Sequence, residues 1–210
     1  MAERKNLNRD MIVDAALRIV NSDGPAALTA RHVAAALDVR PAALHRHFDS
    51  MEVLTDAVLE RVVSDIAVPD PGGDAKADMR ALVWAYVGAL TAYPNTIPLL
   101  TGRRFGSFGA LPVLEAIFAV LRAAKLSPPE IAAAFRILGY FVNGALVSWA
   151  AKRSAGSQPD FLMEHPELLQ AHPLVAEVLP HLQPEALERI IEEGMDAILN
   201  LVLPRPASRR

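Results

Sequence analysis

LTARHVAAALDVRPAALHRHF, residues 28–48, holds two short helical patterns separated by a two-residue turn. Thr29 is placed to cap the first pattern, in which Val33, Ala34 and Leu37 recur at helical spacing. Asp38 and Val39 form the turn. Pro41 then takes the first position of the second helix, where its missing N–H costs nothing. Leu44 and Phe48 point inward, leaving Arg40, Ala42, Ala43, His45, Arg46 and His47 outside. With a third helix packed before them, such a pair makes a helix-turn-helix, whose second helix presents its N-terminal residues to base edges. The same spacing also describes an ordinary helical hairpin with a solvated Arg/His edge, and periodicity alone does not separate the two.

Working outward, residues 9–21 form the preceding helix, with Ile12, Ala15, Ala16, Ile19 and Val20 on one stripe, ended by Asp23-Gly24-Pro25. Ser50 caps a fourth helix that is expected to run to about Val68. It stops at Pro69-Asp70-Pro71-Gly72-Gly73, the strongest boundary in the chain. Further helices are expected over 74–93, 110–124, 129–154 and 184–203, with a short one at 96–101. A Gly-rich loop lies at 102–109 and a partly helical connection at 155–182. No segment shows strand alternation. The expected fold is all-α, a three-helix helix-turn-helix domain (1–50), a connecting helix (51–68) and a helical bundle (74–204). The tail, 205–210, is expected to be disordered.

Bulk properties narrow the function. Of 210 residues, 52% are hydrophobic and 21% charged, with a net charge of −3. That balance excludes a globally basic nucleic-acid coat but not a local basic face. Residues 28–48 carry three Arg and three His against one Asp. The chain has no cysteine, which removes disulfides, thiol catalysis and Cys-based zinc sites. The apolar uncharged run 137–151 falls short of the ~20 apolar residues of a membrane span. The start of the sequence is charged and unlike a signal peptide, so a cytoplasmic protein without a membrane partner is expected.

Residues 9–60 resemble the DNA-binding domain of the tetracycline-repressor (TetR) family of bacterial regulators. The matching positions are Ile12, Ala15, Ala16, Leu17, Gly24, Leu28, Thr29, Arg31, Val33, Ala34, Leu37, Val39, Leu44, His47, Phe48 and Leu54. The resemblance implies that Thr29 caps its helix and touches a phosphate, and that Arg31 reaches a phosphate or a base. It implies that Arg40, Pro41, Ala42 and Ala43 face the major groove, with His45, Arg46 and His47 alongside. His45 stands where the family usually has Tyr, Asp38 where it usually has Gly, and Met51 where a Lys often meets phosphate. It also implies a homodimer on a palindromic double-stranded operator, with a small-molecule effector and no enzymatic activity.

The rest of the chain offers weaker signals. Aromatic residues and isolated polar groups share the central helices, and pockets are typically apolar with few polar anchors. An effector cavity is expected from Trp84, Val87, Phe105, Phe118, Phe135, Tyr140 and Asn143. Helically spaced aromatics equally describe a plain core. His165, His172 and His181 lie among Asp160, Glu164, Glu167 and Glu177, but Pro166, Pro173 and Pro180 interrupt any fixed spacing. No metal or other cofactor is assigned to them, and a solvated acidic-histidine segment is the simpler reading. Ser148 and Ser154 lack a base at triad spacing. The expected function is a transcriptional regulator, most simply a repressor released by a small apolar molecule. The alternative is a helical-bundle enzyme or carrier without DNA binding.

Overall fold

The computed structural model describes residues 7–100, 108–155, 166–181 and 186–203. Among them the regular elements are all helical. The first, α1 (Arg9–Asp23), is capped by the Asn8 side chain, which accepts the Met11 N–H at 2.8 Å. It ends at Gly24, whose φ of 84° is rarely open to other residues. The helix-turn-helix pair is α2 (Ala30–Ala36) and α3 (Pro41–Leu44). Ser50 caps α4 (Met51–Ser64) by accepting the Val53 N–H. The C-terminal elements are α5 (Ala75–Ala92), α6 (Leu111–Ala123), α7 (Pro128–Ala155) and α10 (Leu187–Val202), with short helices α8 (Pro166–Gln170) and α9 (Pro173–Val178) between the last two. One-turn 3-10 segments include Phe108–Ala110.

One expected boundary moves by about a turn. Helix α4 stops at Ser64 rather than Val68. Pro69 disfavours helical backbone at Val68, and the Ser64 hydroxyl donates to the Arg61 carbonyl, competing with the last helical turn. In α10 the buried face is Leu187, Ile191, Met195 and Leu199, while Leu201 is 77% exposed. Ile198 and Val202 are only half-buried. The buried stripe therefore follows a four-residue step that passes through Leu199.

The Pro69–Gly73 breaker separates helices without separating cores. Ile12, Ala16 and Val33 belong to the same buried cluster as Met79, Leu90 and Ile97. The Asn95 amide also donates to the Asn21 carbonyl at 2.8 Å, tying α1 to the segment after α5. Helix α4 serves two clusters. Leu54, Val58 and Val62 pack into the main one, whereas Val63 joins Ile66, Ala110 and Val113 in a second.

Helices α7 and α10 approach closely at Gly194, where an added Cβ would sit 1.8 Å from the Phe141 ring. Ordinary helix propensity would reward Gly→Ala by ~1 kcal/mol. Here the ring has to move, and overpacking costs ~1–3 kcal/mol. Gly194→Ala is therefore expected to lower the melting temperature, and Gly88→Ala in α5, where the added Cβ meets nothing within 4 Å, to leave it unchanged or raise it. Thermal denaturation followed by circular dichroism checks the opposite signs.

Candidate nucleic-acid interface and effector cavity

Thr29 has extended backbone and its hydroxyl accepts the His32 N–H at 3.2 Å, so α2 starts where its cap places it. The chain leaves α2 through Asp38, whose φ of 54° is left-handed. Asp tolerates that region better than most residues, and so replaces the more usual Gly. The Val39 N–H returns to the Ala34 carbonyl at 2.9 Å, closing the turn. Arg40 then caps α3 with extended backbone, and Pro41 occupies its first turn. Regular helix lasts only to Leu44, but the Phe48 N–H still reaches the Leu44 carbonyl at 3.0 Å. Leu44 and Phe48, each 4% exposed, anchor this short element to the core.

The residues assigned to DNA from the sequence all lie among the described residues. Thr29, Arg31, Arg40, Pro41, Ala42, His45 and Arg46 are exposed, and Ala43 and His47 are half-buried. Three exposed arginines thus stand on α2, at the N-cap of α3 and in the turn after it, on a unit held by apolar side chains beneath. Such an arrangement can meet phosphates and base edges together.

Sequence reasoning missed what holds the far end of this unit. Arg9 of α1 donates to the His47 carbonyl at 2.7 Å, and its guanidinium stacks 4.1 Å from the centroid of the Phe48 ring. Partners 38 residues apart leave no local pattern to find. The Arg61–Asp14 ion pair, at 3.3 Å, likewise joins α4 to α1.

In the C-terminal part, α5, α6, α7 and the end of α4 enclose a cavity of about 70 Å³. Its walls include Val63, Val83, Val113, Leu138 and Gly139, and it carries no charged side chain among its described lining residues. The polar side chains there are Tyr86 and Asn143. The Tyr86 hydroxyl donates to Asn143 Oδ1 at 2.8 Å. Burial pushes the Tyr86 phenol well above its ordinary range, so it stays neutral.

Of the effector residues expected from sequence, Phe135 and Asn143 line this cavity. Phe118 packs edge-on against Phe135, with centroids 5.4 Å apart, one layer behind. Val87 is buried in the main core. Trp84 turns to the α5–α10 seam, where its indole N–H donates to the Glu192 carboxylate beside Arg80. Tyr140 is the clear correction. It is 76% exposed, because at 100° per residue it points about 200° away from Leu138. Phe105 lies outside the described residues, as do His165, Asp160 and Glu164. Among the described residues no cluster of His and carboxylates could hold a metal.

Fold and surface together define a helix-turn-helix DNA-binding regulator with an appended helical domain. Residues 12–58 match the model of bacterial regulatory proteins of the tetR family, and residues 68–203 match that of the tetracyclin repressor-like C-terminal domain. The chain belongs to the TetR family of transcriptional regulators. It is 26% identical over 200 residues to the class A tetracycline repressor protein from transposon 1721 of Escherichia coli, covering 92% of this chain and 89% of the relative. An HTH-type transcriptional regulator of Saccharopolyspora erythraea is 26% identical over 163 residues, 76% of this chain and 69% of the relative. The crystal structure of the Streptomyces coelicolor TetR family protein ActR in complex with actinorhodin aligns with a TM-score of 0.80, covering 94% of this chain and 96% of that one. At 20% identity that likeness concerns the fold.

Proposed function

We propose that the chain is a homodimeric repressor that binds a palindromic operator and is released by a small, largely apolar molecule. Its division of labour is the one expected from sequence: 1–50 for DNA, 51–68 as connector and 74–204 for effector and dimer. The DNA face comprises Thr29, Arg31, Arg40, Pro41, Ala42, Ala43, His45, Arg46 and His47. The observation that carries the reading is the double membership of α4. Leu54 and Val58 lie in the main core, which includes the helices of the DNA-binding unit, while Val63 forms part of the cavity wall. Gly109 locks the same helix from outside. Its N–H donates to the Glu60 carboxylate at 3.1 Å, and an added Cβ would come within 3.1 Å of the Glu60 carbonyl. A ligand that parts α6 from α5 would therefore push on the end of α4 and alter the separation of the two heads. Only differential affinity for the two arrangements can shift them. Related proteins named as repressors, and the actinorhodin complex of ActR, support the same reading.

The dimer is inferred from α7 and α10. Within helix α7 an 18-residue window reaches a mean hydropathy of 1.5, yet only 22% of that window is buried within one chain. Ile137, Tyr140 and Leu201 are exposed on the two helices, and Gly144 offers open space for a close approach. A second copy placed isologously would cover these groups. Light scattering is expected to give twice the chain mass at micromolar concentration, and Tyr140→Glu to shift the mass toward one chain. A monomeric parent would overturn the assignment.

Selection from a random duplex library tests the function as a whole. The full chain is expected to enrich an inverted repeat with half-site centres about one turn apart, ~34–36 Å. Enrichment of single, unpaired half-sites would refute the dimeric reading, and no enrichment at all would refute the regulator on this face.

A further inference from the structure

We infer that the effector is an uncharged molecule bearing a carbonyl-type acceptor, which Asn143 Nδ2 receives inside an otherwise apolar slot opened by Gly139. This deepens the proposed effector reading and rests on it. Three observations carry it. First, the described walls hold no cation or anion, so an ionised ligand would lose its hydration without gaining a counter-charge, which is strongly unfavourable. Second, Asn143 Oδ1 is already taken by the Tyr86 hydroxyl. That leaves the Nδ2 donors, which make no hydrogen bond among the described residues, as the group that selects an acceptor. Third, a Cβ built on Gly139 meets nothing within 4 Å although the residue lines the cavity. The missing side chain is itself part of the room.

The volume sets the size class. About 70 Å³ is roughly half of the ~150 Å³ of an engineered apolar cavity that accepts benzene. The form seen here therefore admits a fragment of only about three heavy atoms, and the probes below, like any larger effector, have to spread the helices. That spreading is also what would load Val63 and α4. Cyclopentanone, methylcyclopentane and cyclobutanecarboxylate are near-isosteric probes differing in acceptor and charge.

The test is titration of the isotope-labelled full chain with each probe, read from the methyl resonances of Val83, Val113 and Leu138. Cyclopentanone is expected to shift these resonances. Methylcyclopentane should bind about 3- to 10-fold more weakly for want of one hydrogen bond, and the carboxylate at least about 100-fold more weakly. Asn143→Leu should erase the preference for the ketone over the hydrocarbon while retaining hydrocarbon binding. Gly139→Leu should abolish binding of both. Should it misfold, Gly139→Ala, which gains helix propensity, should weaken both without loss of helicity. Carboxylate binding as tight as ketone binding, or a ketone preference that survives Asn143→Leu, would overturn the inference while leaving an effector cavity in place. Absence of any methyl shift with all three probes would instead overturn the effector reading itself.

Discussion

Arg40→Ala is expected to weaken binding to the selected operator by at least about 30-fold, with helicity, melting temperature and mass unchanged. An Arg reading a guanine contributes ~1–3 kcal/mol of discrimination. A dimer loses the contact twice, ~2–6 kcal/mol in all, and each 1.4 kcal/mol is about tenfold. Arg40 is suited to this role by position. It is exposed, it stands at the N-cap of α3, and its backbone is set by Pro41 behind it. Fluorescence anisotropy at fixed salt, on the operator and on each single-base variant, distinguishes its two possible partners. If Arg40 reads a base, the variant also loses preference at one position per half-site. If it meets phosphate, affinity falls evenly and the salt slope shrinks by ~0.9 per lost contact. Arg31→Ala, one helix earlier, is expected to follow the second pattern or a mixture. Unchanged affinity in both variants would refute this docking face.

Phe48→Ala is expected to be the most destabilising change in the DNA-binding unit, costing ~3–5 kcal/mol. For a chain of this size that corresponds to a fall of roughly 6–20 °C in melting temperature. Phe48 is 4% exposed and closes the core beneath α3, and its other ring face carries the Arg9 guanidinium. Its loss therefore removes a core side chain and one of the two contacts by which Arg9 holds the end of the recognition unit. Arg9→Ala should cost much less stability, ~0.5–2 kcal/mol, but still reduce operator affinity by letting the His45–His47 turn drift. Calorimetry on the two variants, beside operator binding at a temperature where both remain folded, checks the order. Equal melting temperatures for Phe48→Ala and the parent would show that the recognition unit does not depend on this anchor.

The family belongs to the sequence, and so does the outline of the fold. Asn8, Thr29 and Ser50 cap helices, Gly24 and Asp38 take positive φ, and Pro41 starts α3. Each is a local choice, settled by a residue's own backbone preference and by partners within four positions. The exposure of the proposed DNA face follows for the same reason, because most of its residues lie in the one short segment 40–47.

What the sequence could not carry depends on partners far apart in the chain. Tyr140 and Asn143 are three residues apart on one helix, yet only Asn143 lines the cavity, because a helix of mixed apolar composition does not declare which side its neighbours will cover. Trp84 reads as a pocket aromatic until Glu192, 108 residues later, takes its indole N–H. The contact of Gly194 with Phe141, the clamp of Arg9 on Phe48 and the Gly109–Glu60 lock are likewise products of packing. Helix periodicity fixes angles about one axis. Which of those angles becomes a core, a cavity wall or an open face is set by the relative placement of several axes, and that was decided only in the tertiary structure.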